Sequence, residues 1–352
     1  MSYETKKQTT KNLYLISKRT NHRYVLNGDV ESDAMPENEE LSRDFAEHMV
    51  LEKSDLPKKV DLRPWMTKVE DQSTLKSCTA NALAGAYEYL HSKATGQKID
   101  VSRLFIYYNS RIRGLSRFGW LSDSGSSIDM AIQSLFEDGV CLEDMWEYDR
   151  WKVNDKPYSE CYEAAKEHTI LEALQVRRDL NVFKTCLAQG FPIVVSINVF
   201  SSFDKAAERG IVPMPRSFED RQALHGRHAI LIVGYSNSSQ AFIVRNSWGE
   251  NWGDQGYCYI PYDYIADPKL TNYAWTVKRL NVESMGHTGW CNVDGVNYTQ
   301  RDENDESNEL EGARSNEGDD EENEADMEEI DEDVDYVEYD EKADDNNDNT
   351  AN

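Results

Sequence analysis

No apolar run in this chain is long enough to cross a bilayer. The longest, residues 191–199, is interrupted by Pro192, Ser196 and Asn198, whereas a spanning helix needs about 20 consecutive apolar residues. Residues 13–16 (Leu-Tyr-Leu-Ile) are followed at once by Ser-Lys-Arg, so the pattern of a secretory leader is not met. An intracellular, cytoplasmic protein with no membrane partner is expected. Cysteine is sparse and poorly placed for metal binding. The 6 cysteines (78, 141, 161, 186, 258 and 291) include no C-x-x-C pair, and no His stands at zinc-ligand spacing from two of them. No metal site and no cofactor is expected, and free thiols are the default, although Cys141 and Cys161 are placed to face each other across a loop.

Basic residues are also in deficit, 38 Lys and Arg against 65 Asp and Glu, a net of −27. Residues 301–352 hold 25 acidic against 3 basic residues, a net of −22, which leaves −5 for residues 1–300. Apolar residues in this tail are single and scattered, so it cannot bury enough surface to offset its ordering entropy and is read as disordered. Phosphate would repel it, which excludes nucleic acid as its partner. A basic protein partner or simple solubilisation fits the charge better, with residues 334–339 (Val-Asp-Tyr-Val-Glu-Tyr) as a candidate recognition element.

Three segments follow: an N-terminal extension (residues 1–55), a domain (residues 56–285) and a C-terminal extension (residues 286–352), acidic from about residue 301. In the first, residues 12–16 look strand-like and residues 40–51 helical. Residues 55–65 form a proline-bounded entry into the domain. In the domain's first half, apolar residues recur at helical spacing over 78–94, 102–111 and 127–137, with Gly96 ending the first run. From residue 169 the pattern changes. Residues 191–199, 228–235, 241–245, 257–261 and 274–280 are short β-branched or aromatic runs between turn residues, read as antiparallel strands. Helices first and strands second describe an α+β fold of two lobes with a cleft between them.

Four residues carry chemistry. Cys78 opens the first helical run, where the helix N-terminus favours a thiolate and a neighbouring imidazolium favours it further. The plain alternative is a small buried hydrophobe. His228 starts the run His-Ala-Ile-Leu-Ile-Val-Gly-Tyr, so its ring projects from a strand end, where it can exchange a proton with the thiol and a leaving amine. His225 sits in a loop, and His22, His48, His91, His168 and His287 have no motif around them. Asn246 ends a strand in Asn-Ser-Trp-Gly-Glu-Asn-Trp-Gly, a far more specific pattern than a lone turn Asn. Its carboxamide oxygen is expected to accept from His228 Nδ1, with Trp248 shielding the bond. Gln72, six residues before Cys78, is the candidate oxyanion donor together with the Cys78 backbone N–H. His228 and Asn246 lie 150 and 168 residues after Cys78, in the order and at about the spacing of papain-type nucleophile, base and orienting residue.

With these blocks, and with Val-Asp-Leu-Arg at residues 60–63, the chain resembles the papain-family (peptidase C1) cysteine proteases over about residues 56–280. It is most similar to the xylellain-like branch of bacteria and large viruses, in which Ser-Cys-Thr-Ala-Asn-Ala takes the place of the cathepsin sequence around the nucleophile. The resemblance implies a papain-like two-lobed fold and cysteine endopeptidase activity on protein or peptide substrates. It makes Cys78 the nucleophile, His228 the base, Asn246 the orienting residue and Gln72 the oxyanion donor. Trp248 and Trp252 become shielding aromatics, and Ser124, Gly125 and Ser126 match the strip that pairs with substrate backbone. If the source is a large virus, the virion is the alternative location.

The sequence departs from that family at several positions. Ser73 and Lys76 stand where the family has glycines, so Lys76 brings bulk and charge to the substrate-binding strip and beside the thiol. Leu75 replaces a disulfide cysteine. Residues 1–55 are too few for a long helical propeptide, and a short latch over the cleft is expected instead. A silent peptide-binding member, with Ser73 and Lys76 blocking the cleft, and a thiol acyl transferase or deamidase on the same triad are the alternative functions.

Overall fold

The computed structural model describes residues 14–17, 21–32, 36, 38–116, 119–215 and 226–281. The acidic tail, its candidate element at residues 334–339, His225, His287 and Cys291 lie outside them.

The domain is built around one helix. α1 (Cys78–Thr95) is buried from Cys78 to Ser92, as expected of a helix with neighbours on every side. Its alanines and single glycine let elements approach closely: Gly85 faces the Arg245 side chain from β7 (Ala241–Arg245). Gly96, at φ 74°, closes α1 by donating to Ser92 O, the left-handed cap glycine supplies at little cost. On one side lie α2 (Arg103–Arg113), capped by Ser102, and α3 (Ile128–Glu137). α4 (Ser159–Ala165) completes the helical lobe.

The second lobe is a seven-stranded sheet. β4 (Ile170–Gln175), β9 (Thr271–Leu280), β5 (Ile193–Val199), β6 (Gly226–Ser236), β7 and β8 (Tyr257–Pro261) lie in that order, and β3 (Lys59–Asp61) pairs with the far end of β6. Every pairing is antiparallel. The apolar runs of β5, β6 and β7 are buried almost throughout, the signature of strands covered on both faces. α5 (Leu180–Ala188) packs against the sheet, and α6 (Ala206–Arg209) and α7 (Tyr262–Ala266) are single turns.

Expectation and structure differ in the N-terminal extension. Residues 40–51 do not form one helix but two 3₁₀ turns, Glu39–Leu41 and Phe45–His48. Asn38 and Asp44 each accept a backbone N–H two residues on, and such local side-chain caps restart the chain twice in place of one continuous helix. β1 (Tyr14–Ile16) and β2 (Arg23–Val25) pair as a short hairpin. The five cysteines among the described residues, Cys141 and Cys161 included, are buried free thiols.

Candidate active site

Sheet register brings the candidate residues to one wall. His228 pairs with Ile197 of β5, and the next residue, Ala229, donates its N–H to Cys78 Sγ at 3.4 Å. The thiol at the head of α1 therefore lies against the β6 backbone. Asn246 follows the last β7 pair, Arg245 with Tyr257, and its N–H donates to Gly256 O at 3.0 Å. Its Oδ1 is 2.8 Å from His228 Nε2 and also accepts from Ser247 N at 2.8 Å. The contact is thus to Nε2, not to Nδ1 as expected. A ring projecting from the start of β6 turns Nε2 toward the end of β7, and Nδ1 is left buried with no hydrogen-bond partner. Trp248 stacks on the His228 ring, centroids 4.7 Å apart at 23°, and Trp252 meets Trp248 edge-on at 5.1 Å. Both indoles are buried.

Gln72 is held at three points. Its N–H donates to Ser247 O at 2.8 Å, its Oε1 accepts from Ser247 Oγ at 2.6 Å, and its Nε2 donates to Leu75 O at 2.9 Å. One Nε2 hydrogen is left over. The turn to Cys78 runs through Ser73 at φ 53°, its N–H tied to Asp71 Oδ1. A serine here adopts the conformation a glycine takes freely, at a cost of about 1–2 kcal/mol. Lys76 N donates to Asp123 Oδ1 at 3.0 Å; Tyr107 Oη donates to the same oxygen and accepts from Gly125 N at 3.0 Å. Through Asp123 the loop before the nucleophile is tied to the strip at residues 124–126. Tyr148 adds a second brace, its hydroxyl lying 2.5 Å from Ser77 Oγ and donating to Gln72 O at 2.9 Å. Neither Asp123 nor Tyr148 belongs to a motif, so neither was found by sequence.

The N-terminal extension crosses this site. Tyr24 also stacks on Trp248, 4.7 Å apart, and Leu26 is fully buried. Asn27 N donates to Arg227 O at 2.8 Å, and Asn27 Oδ1 accepts from Arg227 N at 2.9 Å. Ser126 N donates to Gly28 O at 2.9 Å and Val30 N to Ser126 O at 3.2 Å, a parallel bridge centred on Asp29. Between the two walls, Gly28 lies directly over the thiol. A Cβ at this position would stand 2.7 Å from Cys78 Sγ and 2.7 Å from Lys76 O. Gly125, at φ 84°, is needed for the same approach, since a Cβ there would stand 2.6 Å from Gly28 O. The Ser124 hydroxyl turns to Gly125 O at 3.4 Å.

Covering the site inverts the expected electrostatics. Cys78 is pushed up to about 12, first by burial and then by the Asp29 carboxylate. His228 is drawn down to about 4 by burial, against the Asn246 contact. The resting pair is thus neutral thiol and neutral imidazole, because exclusion of water disfavours both charges. Lys76 is itself lowered, by burial more than Asp123 restores.

A two-lobed α+β domain whose cleft joins a helix-head thiol to a sheet-borne imidazole and carboxamide defines a class, the papain-like proteins. The chain belongs to the papain family of cysteine proteases, whose family model matches residues 56–277. It is 38% identical over 237 residues to an uncharacterized peptidase C1-like protein of Acanthamoeba polyphaga mimivirus, covering 64% of this chain and 74% of that one. It is 27% identical over 216 residues to cathepsin Q of Rattus norvegicus, 59% of each chain. The crystal structure of xylellain, a cysteine protease from Xylella fastidiosa, superposes with a TM-score of 0.58 at 37% identity, over 65% of this chain and 89% of that one. The chain thus spans less than two thirds of the cathepsin it matches.

Proposed function

We propose that this chain is a cysteine endopeptidase in a covered resting form. Cys78 Sγ attacks the substrate carbonyl carbon while His228 Nδ1 takes the thiol proton, and the oxyanion is met by Gln72 Nε2 and the Cys78 N–H, one of the helix donors with no acceptor inside α1. Collapse expels the amine, protonated from Nδ1. Water, deprotonated by Nδ1, then attacks the thioester, releasing the acid and restoring the thiol. Asn246 holds the ring by Nε2 throughout. The observation that carries this reading is the 2.8 Å His228–Asn246 contact, which leaves Nδ1 unpartnered in the wall against which the thiol lies. It is tested by hydrolysis of unfolded protein substrates by the full chain, which must be sensitive to thiol alkylation and absent in Cys78→Ala.

The segment around Gly28 acts as a latch rather than a substrate. Its Gly28 carbonyl oxygen is taken by Ser126 N–H, so it cannot also occupy the oxyanion donors. The blockage over the thiol comes from Gly28, and neither Ser73 nor Lys76 need prevent activity once the latch lifts. Gly28→Val forces atoms into the 2.7 Å contacts with Sγ and Lys76 O. Overpacking of this kind costs about 1–3 kcal/mol, so alkylation of Cys78 by iodoacetamide is expected to accelerate roughly 5- to 150-fold. An unchanged rate in a variant with wild-type circular dichroism would show that the segment does not guard the thiol.

A further inference from the structure

The latch places one acidic side chain in a pocket beside the nucleophile. Asp29, next to the residue over the thiol, is 4% exposed. Its Oδ2 accepts from Ser196 Oγ of β5 and lies 3.6 Å from Arg227 Nε of β6. Arg227 immediately precedes His228, and its Nη1 pairs with Glu31 at 2.7 Å on the outer side. Asp129, at the start of α3, also acts on this carboxylate and holds Ser32 Oγ at 3.0 Å. Part of the pocket's acid-binding capacity is unused. Arg227 Nε and Nη2 are buried without a hydrogen-bond partner, because an aspartate falls short of them.

We infer that Ser196 and Arg227 form a subsite for an acidic substrate side chain, glutamate above aspartate, at the residue adjoining the one whose carbonyl is attacked. This rests on the endopeptidase reading above. Asp29 occupies the subsite because it is the residue bracketed by the two Ser126 hydrogen bonds. A substrate paired to the same strip sends its corresponding side chain between β5 and β6. A leucine there would cover the Ser196 hydroxyl and the two guanidinium donors without pairing them, the arrangement by which polar sites reject apolar analogues. A glutamate, one methylene longer than Asp29, reaches Nε and Nη2 together in the two-pronged geometry arginine favours.

Two measurements on the full chain test the inference. A positional-scanning library of quenched peptides is expected to show glutamate over leucine by at least about tenfold at one position next to the cleaved bond's residue. Arg227→Glu should reverse the preference toward lysine, and Ser196→Val should weaken it. Leucine cleaved as fast as glutamate, or a preference unmoved by Arg227→Glu, would overturn the assignment. The second measurement needs no catalysis. Asp29→Leu should speed iodoacetamide alkylation of Cys78, and Asp29→Glu should slow it, each by about tenfold or more. Equal rates in the two variants would also overturn it. If the Asp29 series behaves as expected while no peptide is cleaved, the hydrolase reading fails and the acid-binding pocket stands.

Discussion

Cys78→Ala is expected to lower peptide hydrolysis by a factor on the order of 10⁶, to the background of the remaining cleft. Members of a nucleophile–base unit act together, so removing the nucleophile alone costs about as much as removing the whole set. The loss should fall on kcat, because the substitution leaves the Ser126 strip and the Ser196–Arg227 pocket in place. The fold should persist as well. Cys78 Sγ accepts from Ala229 N at 3.4 Å and from Thr79, and sulfur is a weak acceptor, while alanine is the best helix former for the head of α1. Progress curves with an internally quenched peptide check the rate, and circular dichroism checks the fold. Residual activity within a hundredfold of wild type would move the nucleophile elsewhere.

The second large effect is at Gln72. Its Oε1 is fixed by Ser247 Oγ and its Nε2 by Leu75 O, so the remaining Nε2 hydrogen points from a rigid mount. Gln72→Glu keeps the shape and the acceptor for Ser247 but removes both amide donors, leaving Leu75 O without its partner. Loss of one oxyanion donor lowers kcat by about 10²–10³, and a carboxylate facing a developing oxyanion cannot do better than that. KM should move little, since the interaction exists only in the transition state. Alkylation of Cys78 by iodoacetamide forms no oxyanion and should fall far less than hydrolysis, by no more than the new carboxylate disfavours the thiolate. Equal losses in hydrolysis and alkylation would instead mean that Gln72 only supports the loop before the nucleophile.

What was legible in the sequence followed from local chemistry. Periodicity located α1, α2 and α3 to within two residues, and β7 and β8 at their ends, because each is an uninterrupted run with Ser, Gly or Asn flanking at least one end. α4, α5 and β4 were missed. Their seven, nine and six residues are too short for a helical stripe to stand out, or are set in place by a non-local partner such as β9. The four candidate catalytic residues were singled out by the motifs around them. Asp123, Tyr148, Ser196 and Arg227 were not, since each acts through a partner 47 or more residues away that only the fold supplies. The His228–Asn246 nitrogen was misassigned for the same reason, because a sequence does not say which edge of a ring a strand turns toward its neighbour. The N-terminal cover was expected as a latch, but Gly28 and Asp29 lay in a polar stretch with no pattern. Their meaning comes from what they touch.

The most direct test of the catalytic centre is covalent capture by a peptidyl epoxide, with the adduct located by mass spectrometry in the full-length Gly28→Val chain. The arrangement described here predicts one adduct, on Cys78, forming markedly more slowly when Asn246→Ala is added and His228 loses its Nε2 anchor. An adduct on another cysteine, or labelling of Cys78 indifferent to Asn246, would contradict a Cys78–His228–Asn246 centre.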